Sequence, residues 1–253
     1  MRYVRFFRNN EMKYGILEKD DVILELEGDF NSYPGHHKHP LAQCKLLVPV
    51  LPSKIVAVGL NYHDHAKELN MPVPEEPVLF IKPSTSIIGP GDKIIYPRMT
   101  QQLDYEAELA VVIKKKCKNI KPEEANDYIL GYTCFNDVTA RDLQKKDGQW
   151  SRAKSFDTFS PIGPWVVKLA DAGNTKIELQ LNGAVKQSSS TNNLIFNIPT
   201  LVSYVSRVMT LLPGDIITTG TPAGVGPMQI GDTVSVIIDG IGTLTNRVEG
   251  EKA

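Results

Sequence analysis

Asp104–Ile113 reads DYEAELAVVI, and its acids limit where such a chain can fold. The segment has the apolar, β-branched character of a buried strand. Side chains alternate faces along a strand, so Asp104, Glu106 and Glu108 share one face and Tyr105, Ala107, Leu109 and Val111 the other. Carboxylates two residues apart on one face sit roughly 7 Å from each other. They repel by roughly 2 kcal/mol at an effective dielectric of about 20, and burial adds a larger desolvation cost. Open water, basic neighbours or a bound cation can each offset that, and the strand alone does not choose among them.

The rest of the chain bounds the answer. Its 253 residues, 42% hydrophobic and 23% charged, are enough for one large domain with a small appendage. Basic and acidic residues number 28 and 29, so no basic excess points to nucleic acid or an anionic membrane. The start, MRYVRFFRNN, lacks the apolar stretch of a signal peptide. No run is long enough to span a bilayer. Cys44, Cys117 and Cys134 are scattered and odd in number, which fits reduced thiols better than a disulfide framework or a zinc site. A cytoplasmic enzyme is the expectation.

Residues 1–50 read as a small β-rich unit: YVRFF, YGILE and VILELEG are short strands, with Asp20–Asp21 in a turn. NSYPGHHKHP reads as a polar loop, in preference to an adventitious metal site at His36, His37 and His39. A boundary falls near Leu51, and residues 51–253 form the second unit. Asn182-Gly183 and Asp239-Gly240 mark hairpins. Leu201, Val202, Val205, Val208 and Met209 predict a helix over Pro199–Leu211. A shorter helix is predicted over His63–Asn70, with Asn61 as its N-cap. Lys114–Lys118 reads as a solvated strand end, and Trp150 and Trp165 as core or interface. The fold class is α+β, mostly β.

Asp137 follows the strand-like GYTCFN. Two glutamates of one strand and an aspartate of another would surround an octahedral Mg²⁺ or Mn²⁺ and leave positions open for water or substrate. His65 and Glu68 lie three apart and share a helix face, where a carboxylate can hold a histidine tautomer and raise its basicity. By spacing alone, both patterns also fit solvated surfaces.

The runs GLNYHDHAKEL, PVLFIKPSTSIIGPGD, DYEAELAVVI, NDVTARDLQKKDGQWSRAKSFDTFSPIGPW and TLLPGDIITTGTPAGVG occur in this order over residues 54–248. Together they resemble the fumarylacetoacetate hydrolase family. The resemblance implies that family's mixed β-sandwich or β-roll catalytic domain, with a few short helices. It assigns Glu106, Glu108 and Asp137 to Mg²⁺ or Mn²⁺, and leaves Asp104 without a ligand role and read as exposed. It makes His65 and Glu68 a catalytic dyad on a lid, with His63 at the surface. It places Lys154 beside the metal-bound substrate, where it would stabilise an enolate. Arg141, Gln144 and Thr221 would bind substrate, although Arg141, flanked by Asp142, could equally be held in a salt bridge. GTPAGVG lacks the ending of a phosphate loop, so nucleotide binding is not expected.

The resemblance further implies a small 2-oxo acid substrate and a homodimer, with neither nucleic acid nor membrane as partner. The expected reaction is metal-dependent hydrolysis of a C–C bond in an acylpyruvate or fumarylpyruvate, because a His–Glu pair is most needed where water must be activated. An oxaloacetate-type decarboxylase or a 2-hydroxy-dienoate isomerase of aromatic catabolism would use the same site. The alternative of another class is a non-catalytic metal-binding scaffold.

Overall fold

Alternating apolar residues and closely spaced turn formers build sheets, with few helical interruptions. The computed structural model describes residues 1–30 and 32–252. Strands β1 (Arg2–Arg8), β2 (Glu11–Leu17), β3 (Val22–Leu26) and β4 (Pro34–Pro40) form one flank of a large sheet. From β1 the sheet continues through Ser160–Val167, Ile129–Asn136, Ala107–Ile113, Ile216–Thr218, Ile55–Gly59 and Val78–Lys82. A second sheet runs Ala184–Ser190, Lys176–Leu181, Thr233–Ile238, Gly242–Gly250 and Lys93–Tyr96. Leu103–Tyr105 lies in a small ribbon between Thr139–Ala140 and Gly226–Met228.

The two main sheets pack as a sandwich. Leu109 and Val111 of the large sheet share one apolar cluster with Ile177, Leu179, Val234 and Val236 of the second. Each such aliphatic side chain contributes about 1.5–3 kcal/mol on burial. Ala110 and Val112, of opposite parity, join Ile216 in a cluster on the other face. The fold is mostly β within an α+β class, as expected. Both hairpin turns form. At the first, Asn182 and Gly183 adopt φ of 52° and 81°, the left-handed conformation that a two-residue hairpin loop requires.

The helices are shorter than their sequence patterns. The longer helix covers Ile198–Val208, with the Asn197 side chain accepting the Thr200 N–H at 3.0 Å as its N-cap. It stops before Leu211 because Met209 is extended and Leu211 pairs with the backbone of Cys117. Helix α1 covers His63–Glu68, and Tyr62, not Asn61, occupies its N-cap. Asn61 is instead a buried clamp: its amide donates to the carbonyls of Phe196 (3.1 Å) and Thr219 (2.8 Å) and accepts the Phe196 N–H (2.8 Å).

One further expectation is corrected. The histidine-rich segment is strand β4 rather than a loop, with Asn31 outside the described residues. It closes the edge of its sheet, where a proline's missing N–H breaks no ladder. His39 is also engaged, its Nε2 standing 2.6 Å from Glu25. Strand β1 pairs Arg2 with Val167 and Tyr3 with Val166, so the amino-terminal strands extend the large sheet. Val4, Phe6, Leu17 and Ile23 form their own cluster, with Trp165 packed against it.

Candidate active site

The site forms where the large sheet opens. Ala107–Ile113 pairs with Ile129–Asn136 on one side and with Ile216–Thr218 on the other. Beyond Thr219 the second neighbour turns away, and backbone donors upstream of Leu109 need other partners. The Glu106 N–H goes to Asn136 Oδ1 (2.9 Å) and the Ala107 N–H to Gln187 Oε1 (2.9 Å). Glu108, in turn, accepts the Gly220 N–H at 2.9 Å. Asp137 follows the neighbouring strand, and its N–H donates to the Glu106 carbonyl at 2.8 Å.

This backbone brings Glu106, Glu108 and Asp137 together, with one carboxylate oxygen of each within 4.8 Å of the others. All three side chains are buried, so open water does not answer their charge. Basic neighbours answer part of it. Lys154 donates to Glu106 (2.9 Å) and Asp137 (2.6 Å). Lys82 donates to Asp137 and to the Phe159 carbonyl (2.8 Å). Arg141 bridges Glu106 and Asp104, the latter at 2.8 Å. Asp104 is therefore buried and ion-paired rather than exposed, a correction to its reading as a spare surface acid. Asp142 does not hold Arg141; it accepts from Thr100 and from the Gln101 N–H.

Glu108 is the exception. No lysine or arginine among the described residues forms an ion pair with it. Burial, and then the Asp137 charge, push its carboxyl well above the usual carboxylate range. Glu106 goes the other way: burial raises it, but Lys154 and Arg141 outweigh burial and hold it at about 2. Burial pulls the Lys82 ammonium below its ordinary value. Burial also lowers Lys154, yet Asp137 and Glu106 carry it upward. A hard dication with oxygen ligands at about 2.1 Å fits three carboxylate oxygens this close together, and it would supply the charge that Glu108 lacks.

The acids floor a cleft of about 380 Å³. His65, Arg141, Gln144, Lys154 and Thr221 also line it. His65 Nδ1 stands 3.0 Å from Glu68, whose carboxylate accepts the Gly224 N–H at 3.1 and 3.3 Å. Nδ1 is thus directed at a carboxylate, and no hydrogen bond engages Nε2 among the described residues. Arg141 donates to Gln144 at 2.5 Å, so three of its nitrogens already have protein partners. His63 is exposed. The apolar walls are Val58, Leu60, Phe80 and Trp150, with Leu69 and Met71 half exposed. A larger cavity, about 700 Å³ beside Tyr132, Lys168 and Asn197, gathers no comparable cluster of carboxylates and histidines among the described residues.

Sequence reasoning missed Lys82 and Gln187. A lysine closing the apolar run VLFIK was the available signal for the first; nothing distinguishes the second from its polar neighbours.

A family model described as the fumarylacetoacetate (FAA) hydrolase C-terminal domain matches residues 54–249. The chain belongs to the fumarylacetoacetate hydrolase family. A second model, described as Rv2993c-like N-terminal, matches residues 1–49. Among family members, a human protein named oxaloacetate tautomerase FAHD2B, mitochondrial, is 45% identical in an alignment 222 positions long that covers 83% of this chain and 71% of the human one. The crystal structure of a 5-carboxymethyl-2-hydroxymuconate delta-isomerase from Mycobacterium smegmatis superposes with a TM-score of 0.94 at 46% identity, covering 99% of this chain and 100% of that one. A maleylpyruvate hydrolase from Sphingobium sp. SYK-6, in complex with manganese(II) and pyruvate, superposes with a TM-score of 0.84 at 30% identity and covers both chains completely. Relatives within the fumarylacetoacetate hydrolase family are thus named as enzymes of more than one reaction type. Among the described residues no helix is long and apolar enough to cross a membrane.

Proposed function

We propose that this family member is a divalent-metal-dependent enzyme that moves a proton at C3 of a small 2-oxo acid, interconverting keto and enol forms of an oxaloacetate-type substrate. The observation that carries the reading is the convergence of three buried carboxylates in a cleft lined by His65, which Glu68 backs at 3.0 Å. The names of the human tautomerase and the M. smegmatis isomerase support proton transfer over bond cleavage.

Glu106, Glu108 and Asp137 would hold Mg²⁺ or Mn²⁺, which when bound supplies a Lewis acid for the 2-oxo group. Lys154 and Lys82 balance the acids and lie where negative charge would develop. Glu68 would keep the proton on His65 Nδ1, so Nε2 could take a proton from C3 and deliver it to the 2-oxo oxygen, or carry it the other way. Thr221 and the remaining Arg141 donors would bind the substrate carboxylate.

A second reading rests on the same pair. His65 held by Glu68 also suits activation of water, which would add to the distal carbonyl of an acylpyruvate and release a carboxylic acid and pyruvate, the latter leaving as its enolate. On the family likeness we also propose a homodimer, which sedimentation would test.

Two substrates separate the readings. Proton transfer predicts accelerated loss of enol absorbance from oxaloacetate, abolished by EDTA and restored by Mn²⁺. A rate unchanged by EDTA overturns the metal assignment. Hydrolysis predicts acetate and pyruvate from acetylpyruvate; turnover of oxaloacetate without those products overturns the second reading.

A further inference from the structure

Gln187 sits on Ala184–Ser190, in a polar run whose adjacent residues Lys186 and Ser188 are exposed, yet its own side chain is buried. Its Oε1 accepts the Ala107 N–H at 2.9 Å, between the two glutamates of the site. Its Nε2 donates to Thr221 Oγ1 at 2.9 Å and to the Pro222 carbonyl at 2.8 Å. These partners fix which way the amide faces. A backbone N–H can only donate and a carbonyl only accept, so the oxygen must face Ala107 and the nitrogen Pro222.

Both Nε2 hydrogens are therefore used, one of them on Thr221. Thr221 Oγ1 is an acceptor in that bond, and its own proton goes to no group among the described residues. Thr221 is buried and lines the cleft. We propose that Gln187 is a positioning residue that reserves the Thr221 hydroxyl proton for an acceptor in the cleft, making Thr221 a fixed donor to a substrate carboxylate. The same amide caps the Ala107 N–H that the departing neighbour strand leaves unpaired. One side chain thus ties the acid-bearing strand to the loop of Thr221. This inference rests on reading the cleft as a 2-oxo acid site.

Gln187→Glu keeps the shape and reverses the polarity. A carboxylate still accepts the Ala107 N–H, but it cannot donate to Thr221 and draws the hydroxyl proton toward itself. The test is a double-mutant cycle with Thr221→Val on the Mn²⁺-loaded protein, read as pyruvate affinity by calorimetry. Gln187→Glu is expected to weaken pyruvate binding about tenfold when Thr221 is present. In the Thr221→Val background the same change is expected to cost less than about twofold. Mn²⁺ affinity should stay at the wild-type value throughout. Equal pyruvate losses in both backgrounds, or a Mn²⁺ loss that matches the pyruvate loss, overturn the proposal. Should Gln187→Glu not fold, Gln187→Met carries the same cycle; Thr221 can then turn its proton either way, and the expected weakening is about threefold. A wild-type protein that binds Mn²⁺ but no 2-oxo acid overturns the reading of the cleft and this inference with it. Pyruvate binding without coupling overturns this inference alone.

Discussion

Lys154 Nζ stands 2.6 Å from an Asp137 carboxylate oxygen, with both side chains shut away from solvent. The same ammonium reaches Glu106, so it occupies the space between two acids assigned to a metal. Lys154→Met should cost the metal-free protein about 3–5 kcal/mol, because it strands buried carboxylates. Added Mn²⁺ should recover most of that loss, since the cation then supplies the missing charge. Denaturant titrations with and without Mn²⁺ measure both. A loss that Mn²⁺ does not reduce would show that Lys154 stabilises something other than these acids.

Glu108 should respond in the opposite sense. It is buried and has no basic partner among the described residues, so Glu108→Gln replaces an acid whose charged form burial already disfavours and keeps an oxygen for the Gly220 N–H. The metal-free variant is expected to melt at or above the wild-type temperature. Its Mn²⁺ affinity should fall by at least about tenfold. A lower melting temperature together with unchanged Mn²⁺ affinity contradicts the assignment.

His65→Ala separates chemistry from metal holding. A general base contributes about 10²–10⁴-fold, so turnover should drop by that order. His65 touches none of the three acids, and Mn²⁺ affinity should change by less than about twofold. Parallel losses of both would make His65 a structural residue.

An acid-side stability loss should trace to the amino-terminal sheet. Burial raises the Glu25 carboxyl, but hydrogen bonds from His39 and Lys13 outweigh it and hold Glu25 below its ordinary value of 4.5. A depressed carboxylate contributes stability above its unfolded value, and loses it as pH falls through the folded one. Glu25→Gln should therefore be less stable than wild type near pH 7, with the gap closing below about pH 4.5. Chemical denaturation across that range measures it, and a constant gap would refute the linkage.

The legibility of the site follows from how far each interaction travels in the chain. Glu108 lies in the strand Ala107–Ile113 with Glu106 just before its start, and Asp137 follows the strand beside it, so the resemblance and the alternation lead to the cluster although the chain crosses between sheets at Glu106. Lys82 hides in VLFIK because its partner Asp137 is 55 residues away and it is the buried residue of a strand whose apolar members are exposed or half-buried, the reverse of the usual pattern. Gln187 lies among serines that face water, and only the departure of the strand after Thr219 gives it a task. Asp104 misleads for a related reason: its partner Arg141 arrives from a helix start, which no alternation rule foresees. Strand β4 escapes notice because prolines and a glycine signal a loop, while an edge position tolerates them.

Strand β1 lies along Ser160–Val167 with Trp165 packed against its cluster, and this has a consequence for trimmed versions of the protein. A chain begun at residue 51 would keep every acid and base of the cleft but bare a ragged flank of backbone donors and acceptors beside an indole. Such a fragment would gather into clumps by adding strands from its own kind before it lost its chemistry.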